Sequence, residues 1–271
     1  MPKGRKGMAT SESTSKERAN LDELYMVPAV DRAFQLLTLL SHARREMPLA
    51  EITRELKLPH ATALRLVYTM ERHGVLRRTP AGYEVGPRVL TFGFEYLASQ
   101  DIVAVARPGL TALCNATGVS ANLAVRDGRE IIYLCHVAPV GSLSSRVEIG
   151  SRLPAHASST GRVLLSGMEV TALTELYSGV ALAPLPDTVD SVEGILAQSE
   201  ADRRRGWVLK HGVFTRDLVA IAAPIFNGAA QMIAAINISG SAAVMGGDGP
   251  ENAKIQELLV CARQLSGRLG L

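Results

Sequence analysis

Residues 48–85 constrain the fold more than any other stretch of the chain. Leu49, Ile52 and Leu56 recur at spacings of three and four. After Lys57-Leu-Pro-His60, the residues Ala63, Leu66, Val67 and Met70 repeat as i, i+3, i+4 and i+7, one face of a second helix. Gly74 stops that helix. Val75 to Val85 then reads as a short hairpin with its turn at Pro80 to Gly82. Helix, turn, helix and basic hairpin together make the winged helix-turn-helix pattern. The other face of the second helix carries Thr62, Arg65, Thr69 and Arg72 with no acidic member. Such a face suits the DNA major groove, where Arg meets guanine edges and Thr meets bases or phosphates. His60 opens the helix, and Arg77 and Arg78 in the hairpin point to phosphate contacts alongside Arg72.

A solvated polar face has the same residue types, so the placement of charge matters. Residues 27–90 hold ten Lys and Arg against six Asp and Glu, whereas residues 91–271 hold fourteen against sixteen. The positive excess therefore sits with the helix-turn-helix, where a nucleic-acid footprint belongs. A chain of 271 residues has length for two domains. Residues 1–24 read as a disordered tail, 25–86 as the winged helix-turn-helix domain, 87–102 as a linker helix and dimerisation surface, and 103–271 as a second domain.

Cys114, Cys135 and Cys261 are too far apart for a metal motif and read as reduced core thiols. No apolar run approaches the length of a membrane span. The basic start is followed by Thr, Ser and Glu rather than an apolar stretch, unlike a secretory signal. A cytoplasmic protein without a membrane partner is the expectation.

Val27 to His42 reads as a first helix with Val30, Ala33, Phe34, Leu37 and Leu40 facing inward. Beyond the linker, the pattern predicts a helix over 105–117 ended by Gly118. Strands follow at 120–126, 130–136 and 143–147, with Asp127-Gly128 as a hairpin turn. Residues 150–156 read as a loop, and a helix with hydroxyls at its start follows over 157–165. Further helices are expected at 169–177 and 191–205, strands at 207–210, 218–226 and 232–239, and a last helix over 252–269. Helices flanking antiparallel strands define an α+β chain.

Enzymatic readings find little purchase. Gly-x-Ser-x-Gly is absent, His156 has no acidic orienter beside it in sequence, and no Gly-Lys-Ser/Thr phosphate loop occurs. His156 reads as a structural loop histidine, and His42, His60, His73 and His136 lack metal-ligand spacing. Neither an enzyme nor a cofactor protein is expected. One alternative is a ligand sensor whose helix-turn-helix serves protein contacts; a steep salt dependence of DNA retention separates the two.

With these pieces in order, the chain resembles the IclR family of bacterial transcriptional regulators over nearly all of residues 27–269. The matching pieces are Val30-Asp-Arg-Ala33, the helix-turn-helix with Thr62 and Arg65, Gly74, Tyr83-Glu-Val-Gly86, Gly150 with Leu153-Pro-Ala-His-Ala157 and Gly161, and Ile221-Ala-Ala-Pro-Ile225. The resemblance implies an N-terminal winged helix-turn-helix, a linker helix and a C-terminal GAF-like effector-binding domain with an antiparallel sheet. It also implies homodimers or homotetramers on double-stranded operator DNA, and a small effector, often a carboxylate. The chain departs from the family at His60-Ala61, where Lys-Ser is common, and at Gly161-Arg162-Val163, where Gly-Lys-Ala is usual.

Carried over position by position, the family's effector pocket falls on Ser142, Ser145, Ser159, Thr160, Lys210, Leu218, Ala220, Asn237 and Ser239. Their hydroxyl and amide groups make a polar site, and the start of the 159–166 helix would offer free N–H groups to an anion. Lys210 or His211 would complete a carboxylate clamp. Other readings stay open: Lys210 as a surface strand end, Asn237 and Ser239 on an exposed strand face, and Ser159 and Thr160 as plain helix caps. The ligand expected is a small hydroxylated or aromatic carboxylate acting on a catabolic operon.

Overall fold

The computed structural model describes residues 24–98, 101–140, 147–182, 185, 188–212 and 217–270. The chain divides into two compact units between Ser99 and Gln100. The first unit contains α1 (Pro28–Ala43), α2 (Leu49–Glu55), α3 (His60–Arg72), β1 (Leu76–Thr79), β2 (Gly82–Val85) and α4 (Arg88–Ala98). Pro48 and Pro59 stand in extended conformation at the N-caps of α2 and α3. A proline there needs no N–H partner and starts each helix at a fixed residue. The core joins Leu36 and Leu40 of α1, Ile52 of α2, Val67 and Met70 of α3, and Leu76 and Tyr83 of the hairpin.

Two expectations change here. On α1 the buried residues are Leu36 and Leu40, while Val30 and Phe34 are 52% and 65% exposed. Of the five residues expected inward, Leu40 is buried and Ala33 and Leu37 pack against the core, whereas Val30 and Phe34 face outward and Leu36 is buried in their place. The hairpin also gains a third segment. Met47 and Tyr83 exchange two backbone hydrogen bonds of 2.9 Å each. This approach requires glycine at 82, because a Cβ there would lie 2.2 Å from the Met47 carbonyl oxygen.

The second unit begins with α5 (Asp101–Thr117), β3 (Ser120–Asp127), β4 (Glu130–Val137) and β5 (Arg152–Pro154). Next come α6 (Ser159–Ser166), α7 (Val170–Tyr177), α8 (Val192–Arg205), β6 (Val208–His211), β7 (Leu218–Phe226) and β8 (Met232–Ser241). It closes with α9 (Ala242–Met245) and α10 (Ala253–Leu269). The sheet runs β5-β4-β3-β8-β7-β6, and every recorded pairing is antiparallel. Residues 152–154, expected to be loop, are an edge strand because Ile131 and Leu153 pair across β4 and β5. The strand expected at 143–147 falls largely outside the described residues. The linker helix expected over 87–102 is represented by α4 and the first turn of α5, and residues 99–100 lie outside the description.

Strand side chains alternate between faces. Ala124, Tyr133, Val208, Ala222 and Ala235 share one core with Val163 and Leu164 of α6, Leu173 and Tyr177 of α7 and Ile195 of α8. Residues of opposite parity, such as Leu123, Ile221 and Ile236, are fully buried on the other face. Cys114, Cys135 and Cys261 are free and buried, and burial raises each thiol pKa, Cys261 to about 11. Among the described residues, no single helix is long and apolar enough to cross a membrane.

Candidate functional site

On the first unit, α3 buries Ala63, Val67 and Met70 and turns its remaining surface outward. His60, Arg65, Thr69 and Arg72 are exposed, and Thr62 is half-buried. The Thr69 hydroxyl donates to the Arg65 carbonyl at 2.8 Å, so only its oxygen lone pairs remain to accept from a partner. The exposed strip also includes Ala61, Leu64 and Tyr68, with Leu64 46% and Tyr68 61% exposed. Sequence reasoning passed over these three because it searched the free face for polar residues only. Their spacing of three and four, continuing from Ala61 to Arg72, was the available signal.

In the hairpin, Arg78 is exposed, whereas Arg77 Nε donates to Glu84 Oε1 at 2.8 Å directly across the strands. Arg77 thus already has an anionic partner that a phosphate would have to displace. Thr62, Arg65 and Thr69 also stand on the wall of an apolar groove of about 1220 Å³. Its other walls include Phe34 of α1 and Phe92 and Tyr96 of α4.

On the second unit, strand register assembles a polar surface beneath α6. Asn122 of β3 lies opposite His136 of β4 and Asn237 of β8, and Asn237 lies opposite Ala222 of β7. The next row along is Ser120, Ser239, Ala220 and Lys210 on β3, β8, β7 and β6. Leu218 and Ser241 follow. Directly paired residues point to one side of a sheet. These rows share the face of Ala124, Ala222 and Ala235, which α6 covers. Leu218, Ala220, Lys210, Asn237 and Ser239 are thereby brought together on one face.

Burial corrects several alternatives. Lys210 is 6% exposed and Asn237 is 2% exposed, so neither is a surface strand residue. Ser239 is half-buried. The helix cap is Ser158, whose Oγ accepts from Gly161 N–H at 3.0 Å. Ser159 and Thr160 therefore occupy the first turn rather than the cap, at 3% and 0% exposure. Their N–H groups precede the point where intrahelical hydrogen bonding begins. His211 follows Lys210 on β6 and so faces the other way; it is exposed and its Nε2 lies 3.0 Å from Asp248 Oδ2. It leaves the clamp. Ser142 and Ser145 lie outside the described residues.

Around this surface, Asn122 is the residue that sequence reasoning missed. Its Oδ1 is 2.6 Å from His136 Nδ1, and burial lowers the His136 pKa, which favours the neutral ring. Asn122 Nδ2, Asn237 Oδ1 and Thr160 Oγ1 are buried without a hydrogen-bond partner among the described residues. The Tyr133 hydroxyl lies toward Thr160, and burial raises its pKa. The cation Arg162 does not serve the pocket. It makes two hydrogen bonds, 2.8 and 2.7 Å, to the carboxylate of Asp202 and so ties α6 to α8. His156 is buried edge-on against Tyr177, with ring centroids 6.0 Å apart. Burial lowers the His156 pKa and raises that of Tyr177 to about 12. Among the described residues, no group of His, Cys, Asp and Glu could hold a metal ion.

Comparison with known proteins places both parts of the chain in one family. Residues 29–80 match the IclR helix-turn-helix domain and residues 94–267 the bacterial transcriptional regulator IclR C-terminal domain. The Pca regulon regulatory protein of Pseudomonas putida is 32% identical, over 78% of this chain and 71% of its own. The HTH-type transcriptional regulator XynR of Escherichia coli is 28% identical, over 79% of this chain and 86% of its own. A solved transcriptional regulator from Rhodococcus sp. RHA1 superposes with a TM-score of 0.77 at 29% identity, covering 90% of this chain and 98% of that one. An IclR homologue from Microbacterium hydrocarbonoxydans, complexed with 4-hydroxybenzoate, has the same fold with a TM-score of 0.75 at 24% identity, covering 89% and 98%.

Proposed function

The chain belongs to the IclR family of bacterial transcriptional regulators, and from that premise we propose that it adjusts its hold on operator DNA in response to a small hydroxylated or aromatic carboxylate. The relatives are transcriptional regulators rather than enzymes. IclR regulators bind operator DNA and small effectors; the particular ligand, the catabolic operon and the residues in contact are our reading.

The observation that carries the effector half is the buried polar face under α6. It sets hydroxyl and amide groups between a lysine on β6 and the first turn of a helix by β4, where free N–H groups favour an anion. For the DNA half, α3 presents Arg65 and Arg72 beside Leu64 and Tyr68 on one outward strip. Arg reads guanine edges or holds phosphate, and apolar side chains meet the thymine methyl group. His60, Thr62 and Thr69 flank the strip, Arg78 serves the phosphates, and Arg77 joins it by exchanging Glu84 for a phosphate.

We also assign the exposed apolar surface of α1 and α4 to a second copy of the chain. Phe34, Leu90, Phe92, Phe94 and Tyr96 are all at least 47% exposed in the single chain. Apolar surface on that scale marks an interaction site. A dimer, alone or paired into a tetramer, presents two copies of α3. Selecting duplexes from a random pool with the full chain tests both statements. The expected product is an inverted repeat with half-sites about one helical turn apart, or a multiple of that. Arg65→Ala should weaken binding by about 1–3 kcal/mol and relax one base position per half-site. Recovery of a single unrepeated half-site would remove the dimer. Absence of any enriched sequence would favour the protein-contact reading.

A further inference from the structure

Granting the effector site proposed above, we infer that Asn122 and Asn237 together hold a hydroxyl group of the ligand, one amide donating to it and the other accepting from it. The two side chains are 0% and 2% exposed and stand directly opposite each other on β3 and β8. The His136 contact orients the first amide. A neutral imidazole with its proton on Nδ1 donates to Asn122 Oδ1 at 2.6 Å, which leaves the Asn122 Nδ2 donor for another group. That donor and the Asn237 Oδ1 acceptor both lack a partner among the described residues. They are complementary orphans on adjacent strands, and buried polar groups are costly to leave unpaired.

The missing partner must accept from an amide N–H and donate to an amide oxygen. A hydroxyl does both through one atom, in the manner of the water molecule that it would replace. A carboxylate cannot donate, an ammonium cannot accept, and a ketone cannot donate to Asn237. The acid group of the same ligand then belongs toward Lys210 on β6, at the end of the face away from the first turn of α6, which lies by Tyr133 of β4. Two strand spacings and two residues separate Lys210 from Asn237, or about 12 Å between their backbones. That distance leaves room for a short carbon skeleton or one ring between an acid and a hydroxyl once both side chains reach inward. Thr160, buried on α6 with its hydroxyl toward Tyr133 of β4, borders the two amides from the opposite side.

The test is calorimetric titration of the full chain with matched acids that differ only in the hydroxyl: 4-hydroxybenzoate against benzoate, and lactate against propionate. At least one hydroxy acid should bind about tenfold or more tightly than its deoxy partner, since a site built for a hydroxyl leaves both amides unpaired without it. Asn122→Leu and Asn237→Ala should each erase that preference while binding of the deoxy acid persists. Equal binding within both pairs by the unaltered protein overturns the hydroxyl assignment alone, whatever the variants do. A preference that survives in both variants overturns it as well. Silence of all four acids removes the carboxylate reading and this inference with it.

Discussion

Asp202→Ala should lower the stability of the second unit by about 3–5 kcal/mol, because it strips the partner from a largely buried guanidinium. The side chains of Asp202 and Arg162 are only 2% and 14% exposed. Their two-pronged contact joins α6, which carries Ser159 and Thr160, to α8 on the same side of the sheet. With Asp202 gone, Arg162 must either stay unpaired or pull away toward solvent, and α6 moves with it. Urea denaturation followed by far-ultraviolet circular dichroism reads the loss as a lower midpoint. Replacing both partners, as Arg162→Met with Asp202→Leu, should recover most of it, since apolar residues of similar size substitute well for a buried pair. A loss below about 1 kcal/mol for Asp202→Ala would place this pair among surface ion pairs, which contribute little.

The second large effect concerns ligand response rather than fold. In the unaltered chain, an effector present at one hundred times its Kd should add about 2.7 kcal/mol of stability. Changing Ser159 and Thr160 together to valine should remove that increment. Valine matches threonine in shape, so losing the Thr160 hydroxyl, which lies toward that of Tyr133, should cost the unliganded fold about 1 kcal/mol. Thermal melts with and without acid separate the two quantities, and fluorescence of Trp207, which precedes the β6 strand of Lys210, gives a second readout. A variant that melts near the parent yet retains the full ligand increment would exclude these hydroxyls from the site. DNA binding by the first unit should persist in the same variant.

The parts of this molecule that were readable from sequence are those fixed by local pattern. The α3 core face followed from Ala63, Val67 and Met70 at helical spacing, and the hairpin from its turn residues. The parts that were not readable depend on which strands lie side by side. Asn122 has an unremarkable neighbourhood in sequence, and only its position opposite Asn237, more than a hundred residues away, gives it a role. The same holds for Arg162 and Asp202, and for Met47 closing onto Tyr83. His211 shows the opposite failure. It is next to Lys210 in the chain, but one residue along a strand is the other face of the sheet. On α1, local pattern misled for another reason. Its apolar residues serve both the core and an exposed surface, and periodicity cannot separate two buried faces from one buried and one waiting for a partner. Leu64 and Tyr68 were overlooked because the outward face of α3 was searched for polar residues only, although both are exposed there.

Control of DNA binding by a ligand requires that the two halves of the molecule be coupled. The direct measurement is the affinity of the full chain for a duplex selected from the random pool, across a salt series, with and without an acid shown to bind. The predicted result is a steep fall of affinity with salt, about one unit of logarithmic slope for each phosphate neutralised. Saturating acid should then shift that affinity by about tenfold or more, or about 1.4 kcal/mol of coupling between the sites. A steep salt slope with no response to an acid that binds would leave a DNA-binding protein whose ligand site does not control it, and would contradict the central claim.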